Sequence, residues 1–465
     1  MSVTPDATAT DELAHFIAGT SLADIPADVI DRGRLVLADC IGCMAAGAVV
    51  PEVRRLAALQ LPKGAGAASV IGTGQMLAAH AAAFINGTAG TWHDLDEGNL
   101  STRTHAGIQL VPAALAEAEA RALPGSKLLE ALILAYEASA RVWRATRARH
   151  AVHPHGTYGP LAAAMALAKL RGDEPCAIAV AANIATTLGV AASRKSLNDG
   201  ATVRNVYSGH SGRAGYEALS LRDAGFTGEA NALASIMGNI YGSEFDAGMV
   251  TAELGQTWWI RRNYFKRFAA GRYAHGALDL IEDFSERLGP RLEAAAIERI
   301  DIDTFFWAAT LAAQTVRTPF GLRFSLPIAI ARRIVHGRVV LTDDGERAFG
   351  DPAVAALAKR VFVVEDKAAS SAYPDRQPTR VRITFKDGRS ETAASERMLG
   401  EWDHPLPIAA LQTKFVELTD GAWGGGAARA WTELSRIEEV ADVRGMIAGW
   451  HEDMRAHRRT KEKRS

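Results

Sequence analysis

The sequence predicts a mainly α-helical protein with an α+β second domain: a discontinuous all-helical domain interrupted by a smaller α/β module. Three observations carry that expectation. Residues 10 to 260 read as helical segments rich in Ala and Leu, broken by Gly, Pro and Asn clusters. Between about 263 and 404 the pattern changes to β-branched, alternating segments with hairpin chemistry. After about 405 helical periodicity returns, so the helical domain closes around the insertion.

In the first part, "GIQLVPAALAEAEARAL" (107–123) and "SKLLEALILAYEASARVWRATR" (126–147) are long, apolar on much of their circumference and free of strand alternation. "CAIAVAANIATTLGVAAS" (176–193) is the most membrane-like run, but its Ala, Thr and Gly with a central Asn183 suit a close-packed buried helix. In the insertion, "IERIDIDTFF" (297–306) alternates and "RVFVVED" (360–366) is β-branched. "TRVRITFKDGRSET" (379–392) carries Asp387-Gly388, the favoured pair for a two-residue hairpin turn. "SLPIAIARRIVHG" (325–337) reads as a helix with Pro327 in its first turn. The expected division is 1–262 and 405–456 for the helical domain, 263–404 for the insertion and 457–465 for a solvated, frayed basic tail. The glycines of "GAWGGGAARAW" (421–431) lack a Walker lysine and a preceding strand, which makes them a turn rather than a phosphate loop.

Composition narrows the function. With 52 basic and 53 acidic residues the net charge is −1, so no nucleic-acid or anionic-membrane partner is implied. The acidic start, "MSVTPDATATDELAHF", lacks a basic-then-apolar signal pattern, and a cytoplasmic location is the expectation. Cys40, Cys43 and Cys176 are too few for a disulfide framework, and Cys40 and Cys43 lie in an apolar helical run as core residues.

The chemistry concentrates in "TWHDLDEGNLSTRTHAG" (91–107), where His93, Asp94, Asp96, Glu97 and His105 crowd a break between two apolar runs. The spacing fits neither an HExxH helix nor an EF-hand, so no metal and no cofactor is expected. A solvated loop would account for the composition alone. Flanks that read as buried argue instead for a polar turn held between packed helices, as in a preorganised site.

"INGTAGTWHDLDE" (85–97), "THAG" (104–107) and "VPAALAEAEA" resemble the segment that marks the MmgE/PrpD family, also named for 2-methylcitrate dehydratase. Matches continue in order through "HPHGTYGPLAAAMALAKLRG" (153–172), "GHSGRAGYEALSLRDAGFTG" (209–228), "FKRFAAGRYAHGALDLI" (265–281), "FSLPIAIARRIVHG" (324–337) and "TKFVEL" (413–418), covering nearly the whole chain. The resemblance implies a helical domain with an α/β lid and a homodimer. It also implies metal-free carbanion chemistry on small polycarboxylates, by dehydratases, cis-aconitate decarboxylases or an iminodisuccinate epimerase. Such chemistry needs acid-base groups and cationic clamps.

Carried over by position, Asp94 and His105 match the family's active-site aspartate and first histidine, and His153, preferred to His155, matches a second histidine. Lys266 matches a lysine at the entrance to the lid, and His275 a recurrent histidine of supporting role, as is Asp96. Three positions depart from the pattern: Ala106 replaces a proline, Arg204 a lysine, and Gly98 a hydroxyl residue, for which Asn99, Ser101 or Thr102 would compensate. Arginine grips a carboxylate through its planar fork but is no base. The reading is a cofactor-independent lyase, 2-methylcitrate dehydratase-like, acting on a small di- or tricarboxylate. In it Arg204 and Lys266 fix carboxylates, His105 assisted by Asp94 takes the α-proton, and His153 assists the leaving hydroxyl. An epimerase or decarboxylase of a related polycarboxylate is the alternative, and a polycarboxylate-binding protein with a degenerate site is the non-enzymatic one.

Overall fold

The computed structural model describes residues 8–60, 66–337 and 349–462. At the centre of the helical domain lies Gly159–Arg171, buried on nearly every side. It packs against Ala106–Ala120, Gly125–Ala145, Pro175–Thr187 and Val206–Asp223. A helix apolar all round has no solvent face, and its run of alanines lets four neighbours approach at once. The apolar run at 176–193 forms a helix only over Pro175–Thr187. Among the described residues no single helix is long and apolar enough to cross a membrane.

One close crossing sets the geometry of the site. Helices Ala79–Gly90 and Val206–Asp223 meet through Gly87 and Gly209, where a Cβ on Gly209 would stand 2.2 Å from the Phe84 carbonyl oxygen. Backbone contact this tight brings together the segment that follows the first helix and the one that precedes the second.

After the insertion, helices Ile408–Trp423, Gly426–Leu434 and Val443–Glu462 return to the body. Phe415, Trp423 and Trp450 join one core with Leu37 and Ile41 of helix Ala27–Ala48. The glycine cluster contributes only a sharp break at Gly424, whose φ is 52°. The basic tail differs from expectation: helix runs through Glu462, basic residues being favourable at a helix C-terminus, and residues 463–465 lie outside the described residues.

The lid has its own core, built on a four-stranded sheet in the order Val361–Glu365, Ile297–Thr304, Thr379–Phe385, Ser390–Ser395. The first pair is parallel and the others antiparallel. Ile300, Ile302, Val381 and Ile383 alternate inward into a core shared with helices His275–Leu288, which packs on Thr379–Phe385, and Leu326–His336, which packs on Val361–Glu365 and is capped by Ser325 and ended by left-handed Gly337. The hairpin corrects the expected two-residue turn. Three residues, 386–388, separate Phe385 from Arg389, with Gly388 alone at positive φ, because an i to i+3 turn is followed by a glycine bulge.

Candidate active site

Residues 91–105 form the turn between helices Ala79–Gly90 and Ala106–Ala120, and they are packed rather than solvated: Asp94, Asp96, Glu97 and Asn99 are each at most 2% exposed. The turn is braced from behind. Asp39 accepts from the Glu97 amide at 2.9 Å and pairs with Lys414 at 2.6 Å, and Lys414 also reaches the Leu95 carbonyl at 2.9 Å. Thus the returning C-terminal helix, with its "TKFVEL" segment, holds the loop from below. Asp94 and Arg103 both adopt left-handed backbone, φ 53° and 58°, a conformation that costs a non-glycine residue and persists where surroundings impose it.

A cavity of about 470 Å³ opens in front of this turn, between body and lid. Asp94, Asn99, His105, His153, Arg204 and Lys266 all line it. Ser101 and Thr102 are not among its walls; the Thr102 hydroxyl is spent on Thr104 at 2.7 Å. The Asn99 amide is committed at both ends, accepting from the Thr102 amide and donating to the Trp259 carbonyl.

The expected pairing of Asp94 with His105 is made instead by Asp96. His105 Nδ1 lies 2.9 Å from Asp96 Oδ2 and 2.8 Å from the Glu97 carbonyl oxygen. Both are acceptors, so Nδ1 carries the proton and, in the neutral ring, Nε2 is left with the lone pair. Asp96 is fully buried while the His105 side chain keeps 17% exposure, so the imidazole is the member of the pair that a ligand can reach. Burial pushes the Asp96 carboxyl up, but Lys266, His105 and Arg204 outweigh it and hold it well below the usual carboxylate range. The neighbouring Glu97 has no such cations: burial, with the Asp39 charge, pushes its carboxyl up to about 8.

Asp94 serves the other half of the site. Its carboxylate takes Arg204 Nη2 at 2.8 Å and Lys266 Nζ at 3.1 Å, and its carbonyl accepts from Lys266 at 2.8 Å. Both cations thus sit on Asp94, with the Asp96 carboxylate as the second anion that feels them. Arg204, 2% exposed, also keeps a buried Nε–H without a partner among the described residues, a donor that a ligand oxygen would satisfy.

His153 and His155 continue the histidine row. The His155 ring centre is 4.7 Å from that of His105 and 4.8 Å from that of His153. The His155 amide donates to His153 Nδ1 at 3.1 Å, which places the His153 proton on Nε2. Burial and then the Arg204 charge push both rings well below the usual imidazole range, so both are neutral. His275 lies outside the cavity, orienting Arg272, which grips Glu401.

Tyr264 is the residue the sequence did not single out. Its hydroxyl lies 3.4 Å from His105 Nε2, and its strand-like pairing with Gly98 explains the glycine there. A Cβ at 98 would stand 2.3 Å from the Tyr264 hydroxyl oxygen, so the phenol fills the space a side chain there would need. The signal was present in that unexplained glycine. Burial pushes the phenol well above its usual range, keeping it a donor.

As for a metal, Asp96, His105 and His155 each offer a ligand atom within 4.8 Å of the others. The fit is poor, because the Lys266 and Arg204 charges act on both Asp96 and His155 and oppose a cation there.

Fold and site together define a two-domain protein with a cationic, acid-base-bearing cavity between a helical body and an α/β lid. The family model for the MmgE/PrpD N-terminal domain matches residues 11–243 and that for the C-terminal domain residues 268–439. The chain therefore belongs to the MmgE/PrpD family. It is 26% identical to a cis-aconitate decarboxylase of Aspergillus terreus over 93% of this chain and 92% of the relative. It is also 26% identical to the cis-aconitate decarboxylase-like protein oryM of Aspergillus oryzae, over 96% and 98% respectively.

Proposed function

We propose that this chain is a lyase that needs no cofactor and acts on a small di- or tricarboxylate, with loss of CO2 as its reaction. The observation that carries the reading is the pairing, on one cavity, of a histidine whose Nδ1 is fixed and a two-cation cluster with an unsatisfied Arg204 Nε–H. The cluster takes a substrate carboxylate; His105 moves the proton.

Dehydration, the first expectation, needs an acid for the departing hydroxyl. His153, expected in that role, is held neutral and can donate a hydrogen bond but not readily a proton. Decarboxylation of an unsaturated acid asks less. The electron pair of the breaking C–CO2 bond forms a new C=C, the old double bond shifts, and its far carbon takes one proton from the His105 imidazolium. CO2 leaves and one proton is consumed. Tyr264 donates to Nε2 of the neutral ring, and its oxygen accepts from the same nitrogen when the imidazolium forms. The names of the Aspergillus relatives support the same branch.

The test is proton NMR in D2O, with chelator present, on wild type and His105→Ala incubated with cis-aconitate, citrate, 2-methylcitrate and iminodisuccinate. A deuterated alkene product with CO2 release, lost in the variant, is expected. Elimination of water without CO2 would return the protein to the dehydratase reading, and inertness toward all four compounds would overturn the proposal.

A further inference from the structure

We propose that Arg103 and Arg194 form a second anion subsite, which binds a substrate carboxylate other than the one held by Arg204 and Lys266. The inference rests on the polycarboxylate reading above and assigns it two residues that the resemblance did not supply.

Both side chains line the same cavity as His105. Of the other cations there, Arg204 and Lys266 are paired with Asp94, Arg272 with Glu401 and Lys195 with Asp199, while exposed Arg149 is spent on the Asn239 and Ile240 carbonyls. Among the described residues Arg103 and Arg194 have no carboxylate within ion-pair distance. Each is instead fastened by main-chain carbonyls. Arg103 Nη2 donates to the Thr146 carbonyl at 2.8 Å, and Arg194 Nε to that of Val152 at 3.1 Å. The Arg194 guanidinium is also seated 4.7 Å from the centre of the Trp307 ring. This leaves Nε and Nη1 of Arg103 and both Nη of Arg194 without protein acceptors, on guanidinium groups whose positions are set in advance. Arg103 holds left-handed backbone to occupy its place, φ 58°.

The two charges repel. Burial depresses the proton affinity of Arg103, and the Arg194 charge adds a smaller push in the same direction. An anion between them would relieve that repulsion and accept the free N–H groups in the planar geometry guanidinium favours. Trp307 belongs to the lid but stacks on His150 and Arg194 of the body, with ring centres 5.0 Å apart for His150. A carboxylate bound here therefore contacts the seam between the domains, while the inner carboxylate sits on Asp94's cations. A site with two separated cationic clamps selects substrates with two or more carboxylates over monocarboxylates.

The experiment is titration calorimetry with propane-1,2,3-tricarboxylate, which has neither a leaving hydroxyl nor a double bond and is inert to any of the candidate reactions. Wild type, Arg103→Gln, Arg194→Gln, the charge-retaining Arg103→Lys and Arg194→Lys, and Arg149→Gln as a control on the same cavity are compared, each with its melting temperature. The Gln variants are expected to lose at least tenfold in affinity, the Lys variants to recover most of it, and Arg149→Gln to change less than threefold. Wild-type affinity in both folded Gln variants overturns the subsite while leaving the polycarboxylate reading standing. Equal loss in Gln and Lys variants assigns these arginines to packing and also overturns it. Failure of the wild type itself to bind the tricarboxylate overturns both.

Discussion

Replacing Asp96 by Asn removes one charge, keeps the side-chain shape and tests whether Asp96 and His105 act as a proton-transfer unit. In the native site Asp96 Oδ2 and the Glu97 carbonyl share the His105 Nδ1 proton at 2.9 and 2.8 Å. A hydrogen bond to a charged group contributes about 1.5–3 kcal/mol, or roughly 10- to 150-fold in rate if it strengthens as imidazolium forms. Losing the orienting carboxylate of a catalytic triad can cost about 10⁴ when the wrong tautomer results. Here the Glu97 carbonyl still demands a proton on Nδ1, so the loss is expected near two orders of magnitude rather than four. Arg204, Lys266 and Asp94 are untouched, and affinity for propane-1,2,3-tricarboxylate is expected to stay within about threefold of wild type. The assay is CO2 release from cis-aconitate, with calorimetric binding and a thermal melt on the same preparation. A folded Asp96→Asn protein turning over within threefold of wild type would refute the assignment of proton transfer to this pair.

Three further outcomes are expected. Glu97, whose folded-state carboxyl is pushed up to about 8 from an ordinary 4.5, holds its proton in the native state after the unfolded chain has lost it. Its contribution is full below pH about 4.5 and falls by up to about 1.4 kcal/mol per pH unit until about 8, so wild type is expected to lose stability relative to Glu97→Gln across that window. Parallel denaturation midpoints from pH 5 to 8.5 would contradict this. Gly98→Ala places a Cβ 2.3 Å from the Tyr264 hydroxyl oxygen and is expected to push the phenol off His105, lowering kcat at least tenfold with little change in tricarboxylate affinity; unchanged kcat would remove Tyr264 from the reaction. Gly209→Ala drives a methyl to 2.2 Å from the Phe84 carbonyl oxygen and is expected to cost about 1–3 kcal/mol of stability, read as a lower urea midpoint, because backbone cannot yield as a side chain can.

Much of the architecture was legible because helix and strand are local periodicities. The Ala- and Leu-rich runs, the alternation of 297–304 and the helix start at Ser325 and Pro327 are written within a few residues of where they act. The hairpin loop length was not, since Asp387-Gly388 serves both a two-residue turn and a three-residue turn with a glycine bulge, and strand register chooses between them. The same division runs through the site. The ionisable stretch 91–107 was visible as a polar break between apolar runs, and matching motifs indicated His153, Arg204 and Lys266.

Which carboxylate meets which cation depended on packing. Asp94 and Asp96 are two residues apart and chemically alike, yet the left-handed backbone at Asp94 turns one toward Arg204 and Lys266 while the other lies behind His105. No local signal separates them. Tyr264, Arg103 and Arg194 come from segments far apart in sequence and meet only in the folded cavity. The chain by itself determined its helices, its interrupted domain and the stretch where its chemistry gathers, because those depend on neighbours in sequence. Tertiary structure decided the tautomer of His105, the protonation of Glu97 and the unpaired charges of Arg103 and Arg194, because burial and Coulomb forces act between atoms near in space, whatever their distance along the chain.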